Sequence, residues 1–401
     1  MSIRKTKQED PIYISIYIFC LLPFLSVTGL VRLGDTIYTV WKLLGMCGFV
    51  SILFLFFYNE GIRFNKFIIL LVIYELLDLF VGVFFYGIIY GRIAVSLTVI
   101  TLTMLVQYDV KRIIQAILLA GCFIILLNFL SMLFIPISRN EVYFIGGKNQ
   151  LSMFIIPILI LLILYTQEKG RKLGLMEIFL CGIFIASVVL AKSGTGVVAV
   201  GVLVLLFIFS SLIKRKRFLF MAYLGMLILL TWGTSLLAEN KYWLRFLGAL
   251  GKDSTLTGRI EIWGNLFKKL KESPAFGIGA GTILMHQDNK IINEAHNILL
   301  EILLSTGFIG LIIYALYFYQ AIKGLDLKNK KHKTIFLGII ILLVNGLTES
   351  INNTMFFTII LAISYYYSTE KNQIYYKRLN KNFIEGIDAS IETYFDYNSY
   401  L

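Results

Sequence analysis

The stretch NEAHNILLEILLSTGFIG, residues 293–310, passes from polar residues into an apolar helix and carries a histidine, two asparagines and two glutamates across that boundary. The chain has only three histidines in 401 residues, so one at the mouth of an apolar segment asks for a reason. From Ile298 onward the segment reads as a membrane span, since about 20 mostly apolar residues cross roughly 30 Å of hydrocarbon.

The same reading extends outward in both directions. Hydrophobic residues make up 58% of the chain and charged residues 15%, whereas soluble domains carry about a quarter charged residues. A water-soluble core is therefore excluded as the organising feature. Apolar runs recur near 14–31, 38–58, 67–90, 93–108, 113–136, 150–166, 174–191, 194–213, 218–237, 296–322, 334–350 and 354–368. They predict an all-α polytopic membrane protein of about 12 transmembrane helices. Residues 1–401 form one integral membrane domain, with a large external loop at 238–295 between helices 9 and 10 and a cytoplasmic C-terminal tail at 369–401. The leader MSIRKTK precedes the first run, and no small-residue cleavage site follows, so the first helix is expected to be retained.

Orientation follows from the basic residues. With both termini cytoplasmic, the inside segments hold 23 of the 37 lysines and arginines, and each holds at least two, as the positive-inside rule requires. The net charge of +13 is then a topology signal with some attraction for anionic inner-leaflet lipid, and it implies no nucleic acid partner. Cys20, Cys47, Cys122 and Cys181 all fall in predicted helices without metal-like spacing and read as small core residues. No phosphate-binding loop GxxxxGK followed by Ser or Thr occurs, nor a nucleophile elbow GxSxG. No metal and no cofactor are expected.

The external loop contains RIEIWGNLFKKLKE, in which Ile260, Trp263, Phe267 and Leu270 recur at helical spacing and share a face. With Lys268, Lys269 and Lys271 nearby, this helix is suited to lying along a membrane interface. SPAFGIGAG then ends it in a turn, and the loop is long enough to serve as a lid over an outer-surface site.

Outward-facing cations are informative because topology does not require them. Outside the large loop these are Arg32, Lys42, Arg92, Arg139, Lys148 and Lys192. Guanidinium and ammonium groups there suit a phosphate or diphosphate headgroup, although a helix-end cation is equally comfortable snorkelling to water. Carboxylates also fall in predicted hydrocarbon: Glu75 and Asp78, Glu301, and Glu349 near the outer end of the eleventh run. Such groups either serve function or hold the bundle together. His296 can exchange a proton near neutral pH and so suits transfer to a sugar hydroxyl; His286 and His332 have weaker contexts.

Five short motifs occur in order: GGKNQ at 146–150, KSGTG at 192–196, TGRIEIW at 257–263, SPAFGIG at 273–279 and AHNILLEILLSTGFIG at 295–310. In order and spacing they resemble the O-antigen ligase and Wzy-type polysaccharide polymerase superfamily, over roughly residues 140–320. The resemblance implies a metal-independent membrane glycosyltransferase of the bacterial plasma (inner) membrane, working at its outer face on an oligosaccharide linked to polyprenyl (undecaprenyl) diphosphate. Capsule or O-antigen repeat-unit polymerisation is the expected activity, with membrane lipid and a chain-length regulator as the further partners. It also implies His296 and Arg259 as catalytic residues, with Asn297 and Glu301 supporting and Lys148 and Asn149 at its Lys-Asn element; Arg92, Lys192 and Glu349 join the substrate set from the reading of outward-facing cations and intramembrane carboxylates above. One departure stands out: where many members have Arg after the serine of the KSGTG element, this chain has Gly194, leaving Lys192 as the nearby cation.

Two rivals remain open. An O-antigen ligase uses the same donor with lipid A core as acceptor. A transporter or flippase calls for internal repeats and helices broken near mid-membrane, and the sequence gives no clear sign of either.

Overall fold

A computed structural model describes residues 11–21, 30, 34–59, 64–86, 90–134, 143–213, 215–228, 258–287, 290–350 and 355–369. The helices are α1 (Pro11–Leu21), α2 (Asp35–Asn59), α3 (Lys66–Tyr86), α4 (Tyr90–Phe134), α5 (Lys148–Glu168), α6 (Leu175–Leu190), α7 (Gly194–Ile208), α8 (Lys216–Ile228), α9 (Arg259–Leu270), α10 (Ile298–Ile322), α11 (Lys330–Asn345) and α12 (Met355–Thr369). Most of the expected runs coincide with these. The C-terminal parts of the first and ninth runs, residues 238–257 of the large loop and the tail from 370 lie outside the described residues. Among the described residues, Lys66–Phe85, Val95–Phe134, Lys148–Glu168 and Ile298–Ile322 are long and apolar enough to cross a membrane. This is the build of an all-α membrane protein.

The helix faces follow from the solvent each meets. On α3, Ile69, Ile73, Leu76, Phe80 and Phe84 are exposed at intervals of three and four, while Ile68, Leu71, Tyr74 and Val81 are buried on the other side. An apolar stripe turned outward is what hydrocarbon, rather than water, permits. By contrast α5 and α11 are enclosed nearly all round and form the centre with α10. Cys20 is buried in this packing, but Cys47 is exposed on α2 and so is not a core residue.

α4 is 45 residues long and would be about 68 Å if straight, at 1.5 Å per residue. It reverses instead at Asp109, whose φ of −141° and ψ of 56° are not helical. Gln107, before the break, accepts a hydrogen bond from Asn65 at the start of α3. Lys111, just after it, pairs with Glu168 at the end of α5, whereas Asn128 accepts from Ile145 N just ahead of the start of α5. The two halves therefore run in opposite directions, matching the separate runs expected at 93–108 and 113–136. The Tyr17 hydroxyl and the Arg112 guanidinium both donate to Asp109 and fix the turn.

These contacts define two ends of the bundle. One carries Lys111, Arg112, Glu168, Lys331, Lys333 and Lys216, the last donating to Ile322 O and Lys323 O where α10 ends. The starts of α5, α7 and α10 lie at the other.

Three local features depart from the sequence reading. The loop holds a small antiparallel hairpin, β1 (Met285–Gln287) with β2 (Lys290–Ile292), in an otherwise helical fold. On α9 the buried side chains are Ile262, Trp263, Leu266 and Leu270, while Phe267 is exposed, so the apolar face is rotated from the expected one. It packs on Ile278, Leu284, Ala295, Leu300, Leu303 and Leu304 rather than meeting lipid. Finally, α10 is broken at Gly307 (φ 63°, ψ −162°), although no interruption was expected there.

Candidate functional site

Two helix starts at the second end share an unusual design. His296 and Lys192 are the only non-glycine residues with positive φ among the described residues, at 49° and 52°. Each directly precedes an N-cap. Asn297 Oδ1 accepts from Leu299 N and Leu300 N at the start of α10, and Ser193 Oγ accepts from Gly196 N at the start of α7. Left-handed backbone at such residues carries strain of order 1–3 kcal/mol, and here it turns both side chains' positions to the mouth of a helix. Helix N-termini carry partial positive charge and unpaired amides, which favour anions.

The centre of the site is a buried ion pair. Arg259, the first residue of α9, places a guanidinium nitrogen 2.7 Å from Glu349 Oε1, with the two side chains 6% and 3% exposed. His296 Nδ1 lies 3.9 Å from the other oxygen, Glu349 Oε2, and its side chain is 33% exposed. Histidine is thus the reachable member of a triad whose carboxylate and guanidinium are enclosed. Thr195 adds a longer contact to Glu349 Oε1 at 3.5 Å and a hydroxyl bond to Thr348 at 2.9 Å.

A second layer sets this geometry. Glu301 Oε2 accepts from Ala295 N (2.7 Å) and from Ser350 Oγ (3.2 Å), so one carboxylate grips the residue before His296 and the residue after Glu349. Asn297 Nδ2 donates to Leu347 O, and Ile298 N to Gly346 O, which ties the start of α10 to the turn after α11 at two more points. Trp263 Nε1 donates to Ala295 O at 2.9 Å and links α9 to the same turn.

Lys148 and Asn149 open α5 beside this cluster: Ser193 Oγ donates to Asn149 Oδ1 at 3.3 Å, and Lys192 stands exposed next to Ser193. Contacts therefore join Arg259, His296 and Glu349, with Asn297 and Glu301 behind them, and Asn149 to Ser193, while Lys148 and Lys192 are the chain neighbours of Asn149 and Ser193 at the starts of α5 and α7. Arg92 sits in the first turn of α4, but its side chain lies outside what is described. Glu301 and Asn297 are occupied with backbone and hydroxyl partners that hold the turns. Glu75 and Asp78 belong to α3 and take no part in the contacts described above. His332 donates no ring proton to this site; its Nδ1 accepts from Asp326 N at the opposite end.

Sequence reasoning gave no site role to Ser193, Thr195, Trp263, Thr348 or Ser350, although the first three stand in the quoted motifs. A signal was available for two of them: NGLTES, residues 345–350, ends an apolar run with a carboxylate flanked by hydroxyls. Among the described residues no three His, Cys, Asp or Glu side chains converge as a metal site.

Residues 179–315 match the family described as O-antigen ligase, a segment that includes α7, α9 and the start of α10. The chain is also 34% identical over 91 residues to the exopolysaccharide production protein ExoQ of Rhizobium meliloti (strain 1021), covering 20% of this chain and 21% of that protein. The match thus spans about a fifth of the relative's length. Arg259 and His296 lie inside the family segment, whereas Glu349 lies beyond its end. Over the segment that supplies both of those residues, the chain resembles the O-antigen ligase and Wzy-type polysaccharide polymerase superfamily.

Proposed function

We propose that this chain is a polymerase of oligosaccharide repeat units linked to polyprenyl diphosphate, acting at the outer face of the bacterial cytoplasmic membrane. The observation that carries the reading is a partly exposed His296 beside the buried Arg259–Glu349 pair, at the end of the bundle opposite Lys111, Lys216, Lys331 and Lys333. If the lysine-bearing end is cytoplasmic, the site opens outward, where finished repeat units are joined. About 12 spans with both termini inside are consistent with that orientation.

The acceptor is a sugar hydroxyl of a fresh lipid-linked unit, and His296 takes its proton as the oxygen attacks the donor's anomeric carbon. The new glycosidic C–O bond forms as the anomeric carbon–phosphate oxygen bond breaks, and polyprenyl diphosphate leaves with the bonding electrons. Glu349 stabilises the imidazolium that results, and Arg259 with Lys148 and Lys192 offsets the charge on the departing diphosphate. Atoms and charges balance without another reactant. Gly194 in place of an arginine moves part of that task to Lys192 and to the amides at the start of α7. Asn149 supports Ser193, while Asn297 and Glu301 position His296. Arg92 is assigned to the same headgroup from its place as an outward-facing cation at the start of α4.

The similarity to an exopolysaccharide production protein supports polymer assembly. A ligase reading is favoured by the description of the matched family; it keeps the donor chemistry and changes the acceptor to lipid A core. The two separate in one experiment. Purified protein in liposomes is given its lipid-linked repeat unit alone: a ladder of lengths is expected from a polymerase, and a folded protein that produces none supports the ligase. Retained ladders in His296→Ala and Arg259→Ala would overturn the site assignment.

A further inference from the structure

The break in α10 is filled by the protein itself. Phe308 N donates to Pro274 O at 3.0 Å, Ile309 N to Ala275 O at 3.0 Å, and Ile278 N to Leu304 O at 2.9 Å. The segment 274–278 therefore replaces, from outside, hydrogen bonds that α10 forgoes on both sides of Gly307. Unsatisfied backbone groups are intolerable at membrane depth, so the two segments complete each other.

The approach is too close for side chains. A Cβ on Gly277 would stand 2.6 Å from Gly307 N and 2.7 Å from Leu304 O, and one on Gly307 would collide with Ala275 O and Gly277 N. Both glycines also have positive φ, 76° and 63°. Segment 274–278 leads directly from α9, which begins with Arg259, while α10 begins beside His296. The clasp thus ties the helix that carries Arg259 to the helix that positions His296, alongside the bond from Trp263 Nε1 to Ala295 O and the packing of Ile262, Leu266 and Leu270 on Leu300, Leu303 and Leu304.

We infer that Gly277 and Gly307 are positioning residues: the backbone clasp they allow fixes the Arg259 helix against α10 and holds Arg259 in register with His296 and Glu349. The inference rests on the proposed transferase reading for its effect on rate, but the clasp itself is testable without turnover. Lifting it frees α9 to shift, which uncovers Trp263 and moves Arg259 from the site. Misplacement of a charged group by about 1 Å is enough to lower turnover about 100-fold.

The test uses the full chain in liposomes with Trp41, Trp232 and Trp243 changed to Phe, leaving Trp263 as the single indole. Gly277→Ala is expected to red-shift Trp263 emission and to lower kcat at least about tenfold with KM within about twofold. Gly281→Ala is the control: its φ is 90°, yet nothing lies within 4 Å of an added Cβ, so it reports backbone strain without the collision. It is expected to leave emission and kcat near the parent values. A second readout is coupling: the losses from Gly277→Ala and Arg259→Lys should combine to less than their product if the clasp acts through Arg259.

Should Gly277→Ala fail to fold, Pro274→Gly loosens the same segment without adding an atom and is read the same way. A folded Gly277→Ala protein with unchanged emission and kcat overturns the inference, as does an equal effect from Gly281→Ala. An emission shift from Gly277→Ala in a protein whose parent makes no product with either a lipid-linked unit or lipid A core as acceptor supports the clasp and removes the transferase reading.

Discussion

The two ends of the bundle use the same kinds of charge to opposite purpose. At the lysine-bearing end Glu168 accepts from the Tyr367 hydroxyl, pairs with Lys331 at 2.9 Å and with Lys111 at 3.6 Å, and the Lys111 side chain is 50% exposed. At the other end one carboxylate, Glu349, faces Arg259 with both side chains almost wholly enclosed. Exposed pairs contribute roughly 0–1 kcal/mol because water competes for both partners. An enclosed pair has surrendered that water, so loss of either member strands the other. The first arrangement is expected to tolerate change; the second, the proposed site of transfer, is not.

The sharpest break in that contrast is Glu349→Ala. It leaves Arg259 buried without its carboxylate and is expected to destabilise the protein by about 3–5 kcal/mol, seen as a lower midpoint of thermal unfolding in detergent, and to abolish transfer. His296→Ala should separate activity from stability: transfer falls at least about 100-fold, while the unfolding midpoint stays near the parent value because the ring is a third exposed. If both fall together, His296 belongs to the scaffold instead.

Glu301→Gln probes the layer behind the site. The amide oxygen can accept from both Ala295 N and Ser350 Oγ, as one carboxylate oxygen does in the parent, but without the charge behind the two bonds, so a reduction of about 1–2 kcal/mol is expected. The accompanying kcat loss should exceed any change in KM, measured with lipid-linked substrate in liposomes. Lys111→Ala closes the series at the opposite end, with stability changed by no more than about 1 kcal/mol and transfer unaltered.

Much of this was legible before any coordinates. Hydropathy pointed to an all-α membrane protein because span length is set by bilayer thickness, and the pair of runs around Lys111 and Arg112 corresponds to two antiparallel segments. His296 and Glu349 stood out as polar residues at the ends of apolar runs, whereas Arg259 was singled out in the external loop by the motif it shares with the resembled family. Their union did not stand out. Glu349 stands 90 residues from Arg259, and nothing in the intervening sequence fixes that meeting. Glu301 read as a substrate contact because spacing cannot reveal that Ala295 N and Ser350 Oγ already occupy its carboxylate. The α9 face was misread for a related reason: a helical period gives an apolar face but not what covers it, and α10 took the place assigned to lipid. The clasp lay in two motifs, SPAFGIG and STGFIG, whose glycines acquire meaning only when the two are brought together.

The reversal within α4 bears on how the protein can be handled. Its two halves change direction over a single residue, and Asp109 is held there by Tyr17 and Arg112. No stretch of slack chain exists at that point to accept an inserted tag, protease site or topology reporter. A fusion made there would report the sidedness of a damaged bundle, so reporters of orientation belong at the chain termini.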